Sequence, residues 1–168
     1  MINFKGKDQI GDCVDRIAAA GHWIRYVDNV LHVSDEKAVQ AIVDSYTLAD
    51  AKVWKAAQVA EFAKGLRDKS SRDVSIGEMA SWPIKIDEAT RYAKLGALAE
   101  TPLLTAEAQR RGVALSDLVQ KVQAKGGAFR DIEAHIAGVE GKHSDAIKGL
   151  RSFEEVAAYD YSAGWPEV

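Results

Sequence analysis

The chain is 168 residues long, 47% hydrophobic and 28% charged, with 22 basic against 25 acidic residues and a net charge of −3. This is the balance of a globular protein that can bury a core, and it lacks the basic excess that nucleic-acid binders usually carry. A single cysteine, Cys13, excludes an internal disulfide and fits a reducing compartment, and no apolar run approaches the roughly 20 residues needed to span a bilayer.

In chain order, the opening residues MINFKGKDQIGD hold no apolar core of signal-peptide length, so a cytoplasmic protein with no membrane partner is expected. Ile10, Val14, Ile17 and Ala18 recur at helical spacing, which predicts a helix over Lys7 to Ala20 with Cys13 as a structural thiol. The stretch GHWIRYVDNVLHVSD, residues 21–35, reads as a β-hairpin folded at Asp28-Asn29. Folding there pairs Val27 with Val30, Tyr26 with Leu31, Arg25 with His32 and Ile24 with Val33. Ile24, Tyr26, Leu31 and Val33 then share one face, with Arg25 and His32 on the other. A lone hairpin is marginal in water, so the flanking helices are expected to cover the apolar face. After the hairpin, Ser34 is a candidate cap for a helix carrying Val39, Ile42, Val43 and Tyr46 on one side. The free hairpin edges invite pairing with a second copy or with a strand of a client protein.

From Leu48 the composition shifts to Ala, Lys, Glu and Gln, good helix formers. The first body helix is expected to face inward through Leu48, Ala51, Trp54, Ala57, Ala60 or Glu61, and Ala63. The basic run KGLRDKSSR, Lys64 to Arg72, reads as a solvated helix end or loop, and SSRDVSIG interrupts the pattern. A second helix is expected with Pro83 in its first turn and Ile86, Ala89, Ala93 and Leu98 in the core. Thr101-Pro102 opens a short helix that Gly112 closes. A longer one begins at Leu115, Leu118, Val119 and Val122 and continues through Phe129, Ile132 and Ile136, with a bend or close packing at Gly126-Gly127. Ser152 with Glu155 forms a capping box for a last short helix through Ala158. The expected fold is α+β: an N-terminal α-β-β-α unit over 1–46, then a mostly helical domain over 47–168 with an aromatic tail.

No enzyme motif emerges. The histidines His22, His32, His135 and His143 have no second ligand at metal-site spacing, and His135 and His143 read as exposed helix residues. GVEGKHSD lacks the glycine spacing of a phosphate loop and reads as a turn between helices. Carboxylates such as Asp87-Glu88 and Glu154-Glu155 read as scattered surface charges. No catalytic residue, metal or cofactor is therefore expected. Tryptophan and tyrosine are enriched in protein-binding hot spots. That directs attention to Trp23, Arg25 and His32 on the outer hairpin face, and to Tyr159, Tyr161, Trp165 and Pro166 in the tail.

The segment from Ser81 to Asp160 carries Trp82-Pro83, the Glu88-Ala89 helix, Thr101-Pro102, RRGV (Arg110 to Val113), DLVQKV (Asp117 to Val122) and the closing FEEVAAYD. In these features it resembles the small tail fibre assembly proteins of bacteriophages and phage-derived contractile tails. The region Leu48 to Lys69 is similar more loosely, and residues 1–46 depart from the pattern. The resemblance implies a cytoplasmic chaperone of the bacterial host cell that binds a tail fibre protein at its C-terminal end. It would assist folding and trimerisation without ATP, and the resemblance transfers no catalytic residue. The alternative is a minor structural subunit of the tail, baseplate or fibre tip.

Overall fold

In a computed structural model that describes residues 3–168 apart from Lys5 and Asn29, strands β1 (Ile24–Val27) and β2 (Val30–Val33) form a two-stranded antiparallel sheet. Its register is the expected one, Ile24 with Val33 through Val27 with Val30. Asp28 has φ +50°, a left-handed conformation that aspartate tolerates; Asn29, the other half of the expected turn, lies outside the described residues. Before the hairpin, a 3-10 turn at Lys7–Gln9 and helix α1 (Gly11–Ala19) replace the single expected helix, with Ile10 extended between them.

Helix α2 (Glu36–Ser45) is capped by Asp35, whose carboxylate accepts from the Ala38 N–H at 3.0 Å. Ser34 does not cap, because the hairpin uses it. Its N–H donates to the Trp23 carbonyl, and its hydroxyl accepts from the Trp23 N–H, both at 3.1 Å. The helical body follows as α3 (Leu48–Ser70), α4 (Ile76–Leu95), α5 (Pro102–Arg111), α6 (Leu115–Gly149) and α7 (Phe153–Ala158). The protein is thus mostly helical: an N-terminal helix, a hairpin, and a helical body.

Contacts divide the chain into two compact units, residues 1–64 with 138–165, and residues 65–137 with 166–168. In the first, Phe4, Ile10, Cys13, Ile17, Val39, Val43, Tyr46, Ala51 and Val156 form the core, with Ile24, Leu31, Val33 and Phe153 packed against it. Each fully buried Ile or Val contributes about 1.5–3 kcal/mol. The expected boundary between residues 46 and 47 falls inside this core, because Ala51 and Val156 complete it. Lys7 is buried too; its ammonium donates to the Val43 carbonyl at the end of α2 and lies over the Phe153 ring. Tyr26, expected under the helices, is instead 59% exposed. Among the described residues, the core meets the hairpin at Ile24, Leu31 and Val33. In this unit α3 turns Ala51, Lys55, Val59 and Ala63 inward, so Ala57 and Ala60 are exposed, contrary to expectation. Lys55 is on this face because its ammonium bonds to the Ala157 and Tyr159 carbonyls at 3.4 and 3.3 Å while its stem packs inside.

In the second unit, Ala89, Leu104, Ala108, Leu118 and Val119 form the core. Helix α4 starts at Ile76, since the Ser75 hydroxyl accepts from the Glu78 N–H at 3.1 Å. Pro83 therefore lies inside the helix rather than in its first turn, and deprives the Met79 carbonyl of its i+4 donor. Ala93 and Leu98, expected in the core, are exposed, Leu98 by 87%; α4 stops at Leu95, and Gly96, with φ +56°, redirects the chain. Gly112 ends α5 in the left-handed conformation, as expected. Helix α6 runs without interruption through Gly126-Gly127 and through GVEGKHSD, so the latter is not a turn. Ile136, His143 and Ile147 are buried at helical spacing and carry the period across those glycines. At Gly126 the packing is close: an added Cβ would lie 3.0 Å from the Ile86 side chain.

Candidate functional site

The residues expected to contact a partner fall into two groups. On the hairpin, β1 and β2 place Arg25 opposite His32, and the Arg25 guanidinium lies 4.9 Å from the Trp23 ring centre. The Ser34 hydroxyl also lies 3.2 Å from His22 Nδ1, which ties the open end of the hairpin. Trp23, Arg25 and His32 are therefore together and exposed, and Tyr26, Val27 and Val30 are exposed with them. Trp23 and Arg25 on one face, and Tyr26 on the other, are of the residue types enriched in interface hot spots.

The tail group is engaged internally. His143, expected on the surface, is 7% exposed. Its Nδ1 lies 2.8 Å from the Tyr159 hydroxyl and its Nε2 3.2 Å from the Ala163 carbonyl. A carbonyl only accepts, so Nε2 carries the proton, and in the neutral ring Nδ1 accepts from Tyr159. Trp165 stacks on the imidazole at 5.6 Å and donates through Nε1 to the Tyr161 carbonyl at 2.7 Å. Phe62 packs on Tyr161 and Trp165 at 6.0 and 5.2 Å. Burial pushes the Tyr159 hydroxyl above its ordinary pKa, with Asp160 adding to the shift. Burial pushes Lys55 down, opposed by Asp160. Tyr159, Tyr161 and Trp165 thus fasten residues 159–165, while Pro166 is half-buried and belongs to the other unit.

Two features escaped the sequence. Glu88, read as a surface charge, is 2% exposed and accepts from the Leu103 and Leu104 N–H groups at 3.1 and 2.8 Å. The only hint was Thr101-Pro102, a helix start whose threonine makes no side-chain cap bond. The second feature is a groove of about 300 Å³ in the same unit, floored by Trp82, Ile86, Leu118 and Val122. Trp82 is held edge-on to Phe129 at 5.1 Å. Glu107 lies at the groove, bound by Lys85 at 2.8 Å and Arg111 at 2.7 Å; Lys85 first, then Arg111, keeps its carboxyl below the usual range.

No protein family, curated protein or solved structure matches the chain. Among the described residues, no group of three or more His, Cys, Asp or Glu is arranged to hold a metal ion, and no helix is long and apolar enough to cross a membrane.

Proposed function

We propose that this chain is a tail-fibre assembly chaperone, which binds a phage or phage-like fibre in the bacterial cytoplasm and assists its folding and trimerisation by non-covalent shielding. The observation that carries this reading is the outer hairpin face, where Trp23, Arg25, Val27, Val30 and His32 are exposed on a sheet of two strands, with Tyr26 exposed on the opposite face. Long trimeric β assemblies form slowly through non-local contacts and expose apolar edges while they do. A short sheet with open edges and aromatic flanks can pair with such an edge by strand addition. The tail aromatics favour the hairpin by default: Tyr159, Tyr161 and Trp165 already serve the chain's own packing. The motif resemblance over Ser81 to Asp160 supplies the fibre, its C-terminal end, as the client.

The test is co-expression with the neighbouring fibre gene, followed by size-exclusion chromatography with mass determination, for the parent chain and for Trp23→Ser/Tyr26→Ser. The expected result is a soluble, trimeric fibre with the parent chain and an aggregated one with the variant. A fibre that folds equally well alone overturns the chaperone reading. Fixed-copy retention in purified particles would instead assign a structural subunit of the tail, baseplate or fibre tip. Self-association through the hairpin edge would appear as a dimer of the chain alone that the variant lacks.

A further inference from the structure

The groove in the second unit has its own chemistry, separate from the hairpin. Its floor is apolar, with Trp82, Ile86, Leu118 and Val122 lining a cleft of about 300 Å³, at the small end of ligand pockets and room for one large side chain. Gly126 lines it as well, and the 3.0 Å approach that an added Cβ would make to Ile86 means that α4 and α6 meet closely there. Around this floor stand four cations, Lys85, Arg111, Lys121 and Lys125, against two carboxylates, Glu78 and Glu107. Glu107 is occupied by both Lys85 and Arg111. Lys121 and Lys125, one turn apart on α6, are exposed at the rim. A local positive excess in a chain of net charge −3 is a departure from the rest of the surface.

We infer that this groove docks an acidic peptide segment of a partner protein, which inserts one large apolar side chain over Trp82 and Ile86 and lays its carboxylates against Lys121, Lys125 and Arg111. The apolar side chain gives the affinity by desolvating the floor, and the flanking carboxylates give register and rate of encounter. Arg111 can present its remaining N–H groups to a carboxylate while it holds Glu107. The docking site is independent of the hairpin, so it stands or falls apart from the chaperone reading.

The test is a titration of the full chain with the blocked peptide acetyl-Glu-Asp-Phe-Asp-Glu-amide, followed by amide and indole N–H NMR shifts. Comparison peptides replace Phe by Ala or all four acids by Lys. The expected result is saturable binding with shifts at the Trp82 indole and around Lys121 to Gly126. Affinity should fall roughly tenfold in Lys121→Glu/Lys125→Glu and fall with added salt, and should be unchanged in Lys142→Glu, an exposed site elsewhere. The Ala and Lys peptides should bind at least tenfold more weakly, by the order of magnitude expected for losing one anchor or reversing charge. No saturation up to about 1 mM, equal binding of the Lys peptide, or indifference to the double charge reversal overturns the inference. Binding of a naphthalene sulfonate in the groove without binding of the acidic peptide overturns the peptide assignment.

Discussion

Replacing Glu88 by Gln should destabilise the second unit at one helix start. Helix α5 begins at Pro102, which has no N–H, and Thr101 provides no side-chain cap bond. The next amides, Leu103 and Leu104, donate to the two oxygens of Glu88 at 3.1 and 2.8 Å; the Thr105 N–H is the first to reach back within the chain, to the Thr101 carbonyl. A carboxylate from α4 thus does the work of an N-cap and also meets the positive end of the helix dipole. Hydrogen bonds to a charged group are worth about 1.5–3 kcal/mol each. Glutamine keeps one acceptor oxygen and turns an NH2 toward the second amide, so about 2 kcal/mol should be lost. Alanine leaves both amides without an acceptor in a site only 2% exposed, and should cost roughly 3–5 kcal/mol. Native-state hydrogen exchange reads this locally: the Leu103 and Leu104 amides should exchange roughly 30-fold faster in Glu88→Gln, alongside a lowered denaturant midpoint. Unchanged exchange at both amides, with a stability loss below about 0.5 kcal/mol, would refute the assignment of Glu88 as the cap.

Other outcomes follow from the same geometry. Gly127→Ala, with open space around its Cβ, should gain up to about 1 kcal/mol from helix propensity, whereas Gly126→Ala should lose stability against Ile86 and recover part of it in combination with Ile86→Val; denaturant curves of the three variants decide. His143→Ala removes the partner of both Tyr159 and Ala163, and limited proteolysis should then cut within residues 159–165, where the parent resists. Glu107 is held below its usual pKa by Lys85 and then Arg111, so the unfolded chain takes up its proton first. The resulting stabilisation is complete above about pH 4.3 and is lost as pH falls through the lower folded value. Glu107→Gln should accordingly be less stable than the parent at neutral pH, with the difference closing toward about pH 2 in acid titrations followed by circular dichroism.

The parts of the fold that depend on neighbours in sequence were legible. The hairpin register follows from strict alternation around Asp28-Asn29, and Gly112, Pro102 and Ser152 mark helix ends by local backbone chemistry. What failed depends on distant partners. Ser34 is drawn from the cap by Trp23, eleven residues earlier, and Pro83 does not open α4 because a stronger start signal, Ser75 with Glu78, precedes it. Nothing near Glu88 or His143 announces burial; each is satisfied by groups about one helix away, at Leu103 and Leu104 or at Tyr159 and Ala163. The groove has the same origin, since Trp82, Glu107 and Lys121 meet only when three helices assemble. The hairpin surface, by contrast, is local, and its exposed aromatics could be named from residues 22–33 alone, apart from the exposure of Tyr26.

The first unit draws its core from residues 4–51 and from Val156, with Leu150, Phe153 and Ala157 packed alongside. On the ribosome this imposes an order. The stretch 65–137, most of the second unit, is made while Ile10, Ile17, Val39 and Val43 are still incompletely covered. Translation at roughly 5–20 residues per second makes that wait on the order of ten seconds. The hairpin face therefore gains its finished support only when α7 has left the exit tunnel, so a nascent copy cannot offer that surface to a partner in its mature form before α7 has joined the core.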